Sequence, residues 1–186
     1  MGALKPCFAR VLYNVFMDAI VDENAEVRRN AVYGLGVYAS YGGIAVLPQY
    51  TEIVNRLLKI FLREKDLAVI DNICAALCRM ITSNADNVPL DQVLPTMVQH
   101  LPLQVDTDEH ITVINCLRML YAKRHPAITS VLPRLIKVFS QMLRSEISAE
   151  VRAKIVEWVQ DISNSQDVLR AILSSKPGCI ELCIVS

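Results

Sequence analysis

The residues of this chain that could most readily bind a ligand are carboxylates concentrated in one segment. Between residues 80 and 117 there is no Lys or Arg, and five acidic residues give the segment a charge of −5. These residues are Asp86, Asp91, Asp106, Asp108 and Glu109. The whole chain is formally neutral, so the remainder carries +5. A local negative field favours a basic partner, although a solvated acidic turn without function is the alternative.

The cysteines and histidines do not form a metal-binding or catalytic pattern. The six cysteines are Cys7, Cys74, Cys78, Cys116, Cys179 and Cys183. Two pairs stand four residues apart, but no C-x-x-C occurs, so we interpret the cysteines at 74, 78 and 116 as small core residues. The three histidines have no Ser or Cys arrangement that suggests a catalytic triad, and there is no phosphate-binding glycine loop. We therefore predict no metal, no cofactor and no enzymatic activity.

A helix-pair pattern repeats four times and must position the carboxylates. The first copy contains Glu26-Val27-Arg28-Arg29-Asn30-Ala31, and its valine recurs as Val69, Ile111 and Val151 at spacings of 42, 42 and 40 residues. This period matches two-helix solenoid repeats of the HEAT or armadillo kind. The tripeptide Val-Leu-Pro recurs at 46–48, 93–95 and 131–133, and its proline is expected early in the first helix of each pair. The predicted fold class is thus all-α, an α-α superhelix whose repeats stack to bury their apolar stripes.

The predicted organisation is a single solenoid over residues 1–186, the C-terminal part of a longer protein. Repeats are expected at roughly 5–43, 44–84, 88–124 and 126–164, followed by a C-terminal cap at 165–186. The predicted helices span roughly 5–20, 24–40, 47–63, 66–82, 90–101, 109–123, 127–144, 148–163 and 165–174. Gly42-Gly43 is expected to end the second helix with a positive φ. Gly34 and Gly36, which weaken that helix, suggest a close helix approach.

Helical periodicity separates a core stripe from a groove stripe on the second helix of each pair. In the first repeat, Val27, Ala31, Gly34, Leu35 and Tyr38 form the predicted core stripe. The second stripe consists of Glu26, Asn30, Tyr33 and Val37, then Ala68, Asn72, Ala75 and Arg79, and finally Glu150, Lys154, Glu157 and Asp161. Stacked repeats would line up these residues on a concave surface. Asp108 and Glu109, at the start of a helix, are expected beside it, where the helix dipole also favours them.

The composition excludes other classes of partner. No stretch of 18 uncharged apolar residues occurs, so no transmembrane helix and no membrane partner are expected. Basic residues are dispersed at turns and do not form a stripe, so we expect no direct contact with nucleic acid.

The repeat motifs resemble those of a known family. The segments Glu26–Ala31 with Gly34-Leu35-Gly36, and Asp71-Asn72-Ile73-Cys74-Ala75-Ala76-Leu77, are similar to the last HEAT repeats of importin-β-type karyopherins. This resemblance implies a nuclear import receptor that carries basic cargo, such as core histones or ribosomal proteins, and shuttles between cytoplasm and nucleus. It also implies partners that bind the full-length receptor, namely Ran-GTP and nucleoporins. By similarity, Asn72, Asp108 and Glu109 would line a pocket for lysines of a histone tail.

The candidate cargo-binding residues combine the groove stripe with this resemblance. They are Asn30, Tyr33, Asp71, Asn72, Asp108, Glu109, Glu150 and Glu157. The alternative function is a rigid HEAT-repeat scaffold for a multiprotein complex, and the −5 segment favours the receptor.

Overall fold

The computed structural model describes residues 6–164, which fold into helices joined by short turns and contain no β-strand. The α-helices are α1 (Pro6–Ala19), α2 (Ala25–Tyr41), α3 (Tyr50–Phe61), α4 (Leu67–Asn84), α5 (Leu90–Gln99), α6 (His110–Ala122), α7 (Pro126–Arg144) and α8 (Ala149–Asn164). The all-α, HEAT-like fold class is confirmed. The predicted helix at 165–174, the cap at 165–186 and the cysteines at 179 and 183 lie outside the described residues.

Local capping explains why these helices begin and end where the sequence predicts. The side chain of Asn24 accepts a hydrogen bond from the Glu26 amide at the start of α2, and Asp66 accepts one from the Val69 amide at the start of α4. Gly43 follows α2 with a φ of +58°, the left-handed conformation that glycine adopts without strain.

The prediction that the Val-Leu-Pro prolines lie in the first turn of a helix is wrong for all three. Pro95 and Pro133 lie inside α5 and α7, whereas Pro48 lies in a 3₁₀ helix, Gly43–Gln49, that precedes α3. For Pro95 and Pro133 the reason is that other prolines occupy the helix starts: Pro89 caps α5, and Pro126 is the first residue of α7.

Residues 6–131 belong to one compact unit, in which α4 is the central helix. Helix α4 packs against α2 and α6, and its residues from Val69 to Cys78 are all buried. A Cβ at Gly36 would lie 2.8 Å from the Cα of Ala76, so this glycine permits the close approach of α2 to α4. The predicted burial of the cysteines at 74, 78 and 116 is confirmed.

Burial corrects the two predicted stripes at three positions. Val27, assigned to the core, is 38% exposed. Asn72 and Ala75, assigned to the groove, are 2% and 0% exposed. The amphipathic pattern on α4 is lost because neighbouring elements cover this helix around its circumference, and a helix that is covered all round has no solvent face.

Residues 132–164 belong to a second compact unit. Within it, Val151, Ile155, Trp158 and Ile162 form the buried face of α8, as the position of Val151 in the fourth repeat predicts. The Trp158 ring packs 4.9 Å from the Phe139 ring of α7, measured between centroids. Of the helices in residues 6–164, none has the length and apolar character needed to cross a membrane.

Candidate functional site

The turn between α5 and α6 folds onto α4 because Asp71 binds its backbone. One carboxylate oxygen of Asp71, Oδ2, accepts hydrogen bonds from the amides of Gln104, Val105 and Asp106 at 2.9, 2.7 and 2.9 Å. Asp71 is only 1% exposed. The Asp71 side chain is therefore not accessible for the predicted contact with cargo. Its carboxylate instead fixes the turn.

His110 holds the base of the same turn. Its Nδ1–H donates to the Thr107 carbonyl at 2.8 Å, and its Nε2 accepts from the Leu103 amide at 3.1 Å. This pattern of one donor and one acceptor requires the neutral imidazole. Burial lowers the pKa of His110, although the hydrogen bond to Thr107 and the Asp71 carboxylate partly oppose that change. This role of His110 in holding the turn was not predicted from the sequence.

Three of the predicted residues meet at one cavity, formed where the turn lies beside α2 and α4. The cavity has a volume of about 320 Å³. Its lining residues are Arg29, Asn30, Tyr33, Asn72, Val105 and Asp106. Of these, Asn30, Tyr33 and Asn72 were predicted. Arg29, Val105 and Asp106 were missed as cavity residues, and the only sequence signal for them was that Asp106 belongs to the −5 segment.

Two polar side chains of this cavity, Asn72 and Asp106, are joined by a hydrogen bond. The side-chain amide of Asn72 donates to the Ala68 carbonyl and to Oδ2 of Asp106, each at 2.9 Å. Both amide protons are thereby used, and the carbonyl oxygen of Asn72 remains as an acceptor. Asp106 adds a half-buried carboxylate, whereas Arg29 supplies a cation that lies 4.0 Å from Glu26. The arrangement can accept hydrogen bonds from a cationic group.

The acidic pair at the start of α6 divides into one exposed and one paired carboxylate. Asp108 is exposed. Glu109 is 9% exposed and forms a salt bridge with Arg79 of α4, whose guanidinium lies 4.9 Å from the centre of the Tyr33 ring. Arg79 therefore neutralises one of the five charges of the −5 segment. Its contacts with Tyr33 and Glu109 link α2, α4 and the turn before α6.

The remaining two predicted residues, Glu150 and Glu157, lie on α8 in the second unit and are exposed. Their part in binding cargo stays a prediction. Among the described residues there is no cluster of three or more His, Cys, Asp or Glu side chains that could hold a metal ion.

Comparison with known proteins relates this chain to importins. No protein-family profile matches it. The chain is 28% identical over 184 residues, 97% of its length, to the probable importin subunit beta-4 of Schizosaccharomyces pombe. It is 28% identical over 179 residues to human importin-4 (95% of the chain) and 30% identical over 143 residues to mouse importin-4 (77% of the chain). It spans 17% of the length of the first two relatives and 13% of the third. By these matches the chain is related to the importin-β-type proteins, the family that its repeat motifs resemble.

Proposed function

We propose that this chain is a cargo-binding segment of a nuclear import receptor and that the cavity between α2, α4 and the 102–106 turn accepts a lysine of a basic cargo. The cargo would be a core histone tail or the nuclear localisation signal of a ribosomal protein. The observation that carries this proposal is the convergence of Asn30, Tyr33 and Asn72 with Asp106 at one cavity. The relation to importin-4 supports it independently.

The chemistry of the cavity suits an ammonium group. A lysine ammonium has three donors and no acceptor, and the half-buried Asp106 carboxylate, which the buried Asn72 amide holds in place, is an acceptor at the cavity. The exposed ring of Tyr33 offers an aromatic surface to the apolar stem of lysine. An exposed ion pair contributes only about 0–1 kcal/mol, so cargo affinity would come from several contacts, with the exposed Asp108 as a further candidate.

The functions of the longer receptor follow from the same proposal. Its Ran-GTP and nucleoporin partners, and its movement between cytoplasm and nucleus, would involve regions beyond the 17% of the relatives that this chain spans.

The proposal is tested by titrating a labelled, lysine-rich core-histone tail peptide into the parent chain and the variant Asp106→Asn. The substitution removes one charge from the cavity and keeps an oxygen that can accept from Asn72. We expect the variant to bind about fivefold more weakly, which corresponds to about 1 kcal/mol, and parent binding to weaken as salt rises.

The matched control is Asp86→Asn, which removes a charge from the same −5 segment outside the cavity. Residue 86 follows the C-terminal end of α4, about 20 Å along the helix axis from Asn72 at 1.5 Å per residue. Equal loss of affinity in both variants, or salt-independent binding by the parent chain, would exclude the cavity as the lysine site. Reversing Glu109 is a poor test, because it would also break the Arg79 salt bridge.

The second candidate function is a rigid HEAT-repeat scaffold. Two internal salt bridges, Glu109 with Arg79 and Glu64 with Arg28, favour this function. These charges stabilise the repeats and are not available to bind a ligand. A scaffold predicts no difference between lysine-rich and acidic peptides in the titration above.

A further inference from the structure

A second cavity, of about 440 Å³, lies where the α1–α2 turn meets the C-terminal end of α3. Its lining residues are Ile20, Val21, Asp22, Arg28, Arg56, Lys59, Ile60, Arg63 and Glu64. It shares no lining residue with the first cavity. On α2, Arg28 points about 200° away from Asn30 at 100° per residue, so the two cavities lie on different sides of this helix.

The two acidic residues of this second cavity are already bound within the protein. Both oxygens of Glu64 accept from Arg28, at 2.8 and 2.9 Å, and Oε1 also accepts from the Lys65 and Asp66 amides. Burial alone would raise the pKa of Glu64, but these hydrogen bonds outweigh it and lower the pKa. Asp22 accepts from the Asn24 amide at 2.8 Å. Both acidic side chains therefore stabilise the walls of the cavity.

Arg28 likewise has partners within the protein. Its Nε and one terminal nitrogen bind Glu64, and its other terminal nitrogen donates to the carbonyls of Asp22 and Glu23, each at 2.9 Å. Arg28 thus ties the α1–α2 turn to the turn after α3 and fixes the shape of the cavity.

Three other cations, Arg56, Lys59 and Arg63, are exposed and face the cavity without such partners. None of them forms a salt bridge within 4.0 Å in the part of the chain that the structure describes. Lys59 and Arg63 lie at the C-terminal end of α3, where the helix dipole favours cations. Arg56 lies five residues before that end, so the helix dipole does not explain the presence of a cation there. The three cations are spaced three and four residues apart, and like charges at these spacings repel each other.

The floor of the cavity is apolar. Ile20 is completely buried, Ile60 is half-buried, and Val21 is 57% exposed at the rim. A ligand that fits would thus combine negative charge with at least one apolar side chain.

We propose that this second cavity binds an acidic peptide segment of a partner protein, whose carboxylates pair with Arg56, Lys59 and Arg63 while an apolar side chain packs on Val21 and Ile60. Four cationic and two anionic side chains give the cavity a net charge of +2. Because part of the lining is apolar, the arrangement favours a peptide that carries an apolar side chain over a nucleic acid. This surface is separate from the proposed lysine site and has the opposite charge preference.

The test is a fluorescence titration of the full chain with a labelled Glu/Asp-rich peptide that carries a central Leu-Leu pair. The triple variant Arg56→Gln, Lys59→Gln, Arg63→Gln should bind about tenfold more weakly, which is the effect of about 1.4 kcal/mol. The control variant Arg10→Gln, Lys123→Gln, Lys137→Gln removes the same charge at exposed positions outside the cavity and should bind like the parent.

Two results would overturn the proposal. One is equal loss of affinity in both triple variants, which would show attraction to overall charge. The other is binding of a single-stranded oligonucleotide or inorganic phosphate at this surface without binding of the acidic peptide. Both triple variants should retain lysine-rich peptide binding, so failure here is distinguishable from failure of the proposed cargo site.

Discussion

The three hydrogen bonds to Asp71 make a strong prediction about how the first cavity is built. The variant Asp71→Ala removes one buried oxygen that binds the amides of Gln104, Val105 and Asp106. The turn would then lose its main attachment to α4, because its other polar side-chain contacts with α4 and α6 are those of Asn72 and His110 and the Glu109–Arg79 salt bridge.

The size of the destabilisation depends on how far water can replace the three lost hydrogen bonds. A hydrogen bond to a charged group contributes about 1.5–3 kcal/mol, so three bonds set an upper bound of about 4.5–9 kcal/mol. Gln104 and Val105 are exposed, and water can satisfy their amides in the variant. The net loss of stability is therefore equivalent to about one and a half of these hydrogen bonds instead of three. We expect the free energy of unfolding to fall by about 2–4 kcal/mol. For a chain of this size, 1 kcal/mol shifts the melting temperature by about 2–4 °C, so the expected decrease is about 4–16 °C.

Two measurements check this expectation. Thermal unfolding followed by far-UV circular dichroism reports the melting temperature, and hydrogen exchange of the amides at 104–106 reports release of the turn itself. Asp86→Ala is the control, since an exposed substitution of this kind changes stability by only about 0.5 kcal/mol. Because Val105 and Asp106 line the first cavity, Asp71→Ala should also weaken binding of the lysine-rich peptide.

If Asp71→Ala melts like the parent chain and its amides at 104–106 exchange at the parental rate, Asp71 does not anchor the turn. An unchanged melting temperature with faster exchange would instead mean that the turn opens locally without affecting the helices, and the estimate of its effect on global stability would be wrong.

Two further predictions concern the packing and the protonation of this unit. Gly36→Ala should lower the denaturant midpoint, with a cost of about 1–3 kcal/mol, because the added Cβ would lie 2.8 Å from the Ala76 Cα; a higher midpoint, from the better helix propensity of alanine, would contradict the close contact. Burial lowers the pKa of His110 in the folded chain, so the unfolded chain takes up the proton first and stability should decline as pH falls below about 6.5. His110→Gln should reduce that decline between pH 7 and pH 5 in urea unfolding, and equal slopes would show that His110 does not contribute.

Local features explain why the helices could be predicted. The range predicted for α2, 24–40, is found as Ala25–Tyr41 with Asn24 as its cap. The range predicted for α4, 66–82, is found as Leu67–Asn84 with Asp66 as its cap. Caps, helix-ending glycines and apolar periodicity act over a few neighbouring residues, so the sequence shows them directly.

Burial was less predictable than helix position. Val69 and Val151 are buried as their place in the repeat predicts, whereas the corresponding Val27 is 38% exposed. Periodicity identifies which residues share a helix face. It does not reveal whether another element extends far enough to cover that face, because covering contacts come from residues distant in the chain.

The amino-acid sequence by itself determined the helix pairs, their period and the family relationship, because these depend on short-range patterns that repeat along the chain. Only the tertiary structure decided what the acidic residues do. Asp71 became the buried anchor of the turn, Glu109 was paired with Arg79, and Asp106 was brought to Asn72 from 34 residues away. Residues so distant in sequence meet through the packing of α2, α4 and α6, and no local pattern encodes which carboxylate will find an internal partner and which will remain open to a ligand.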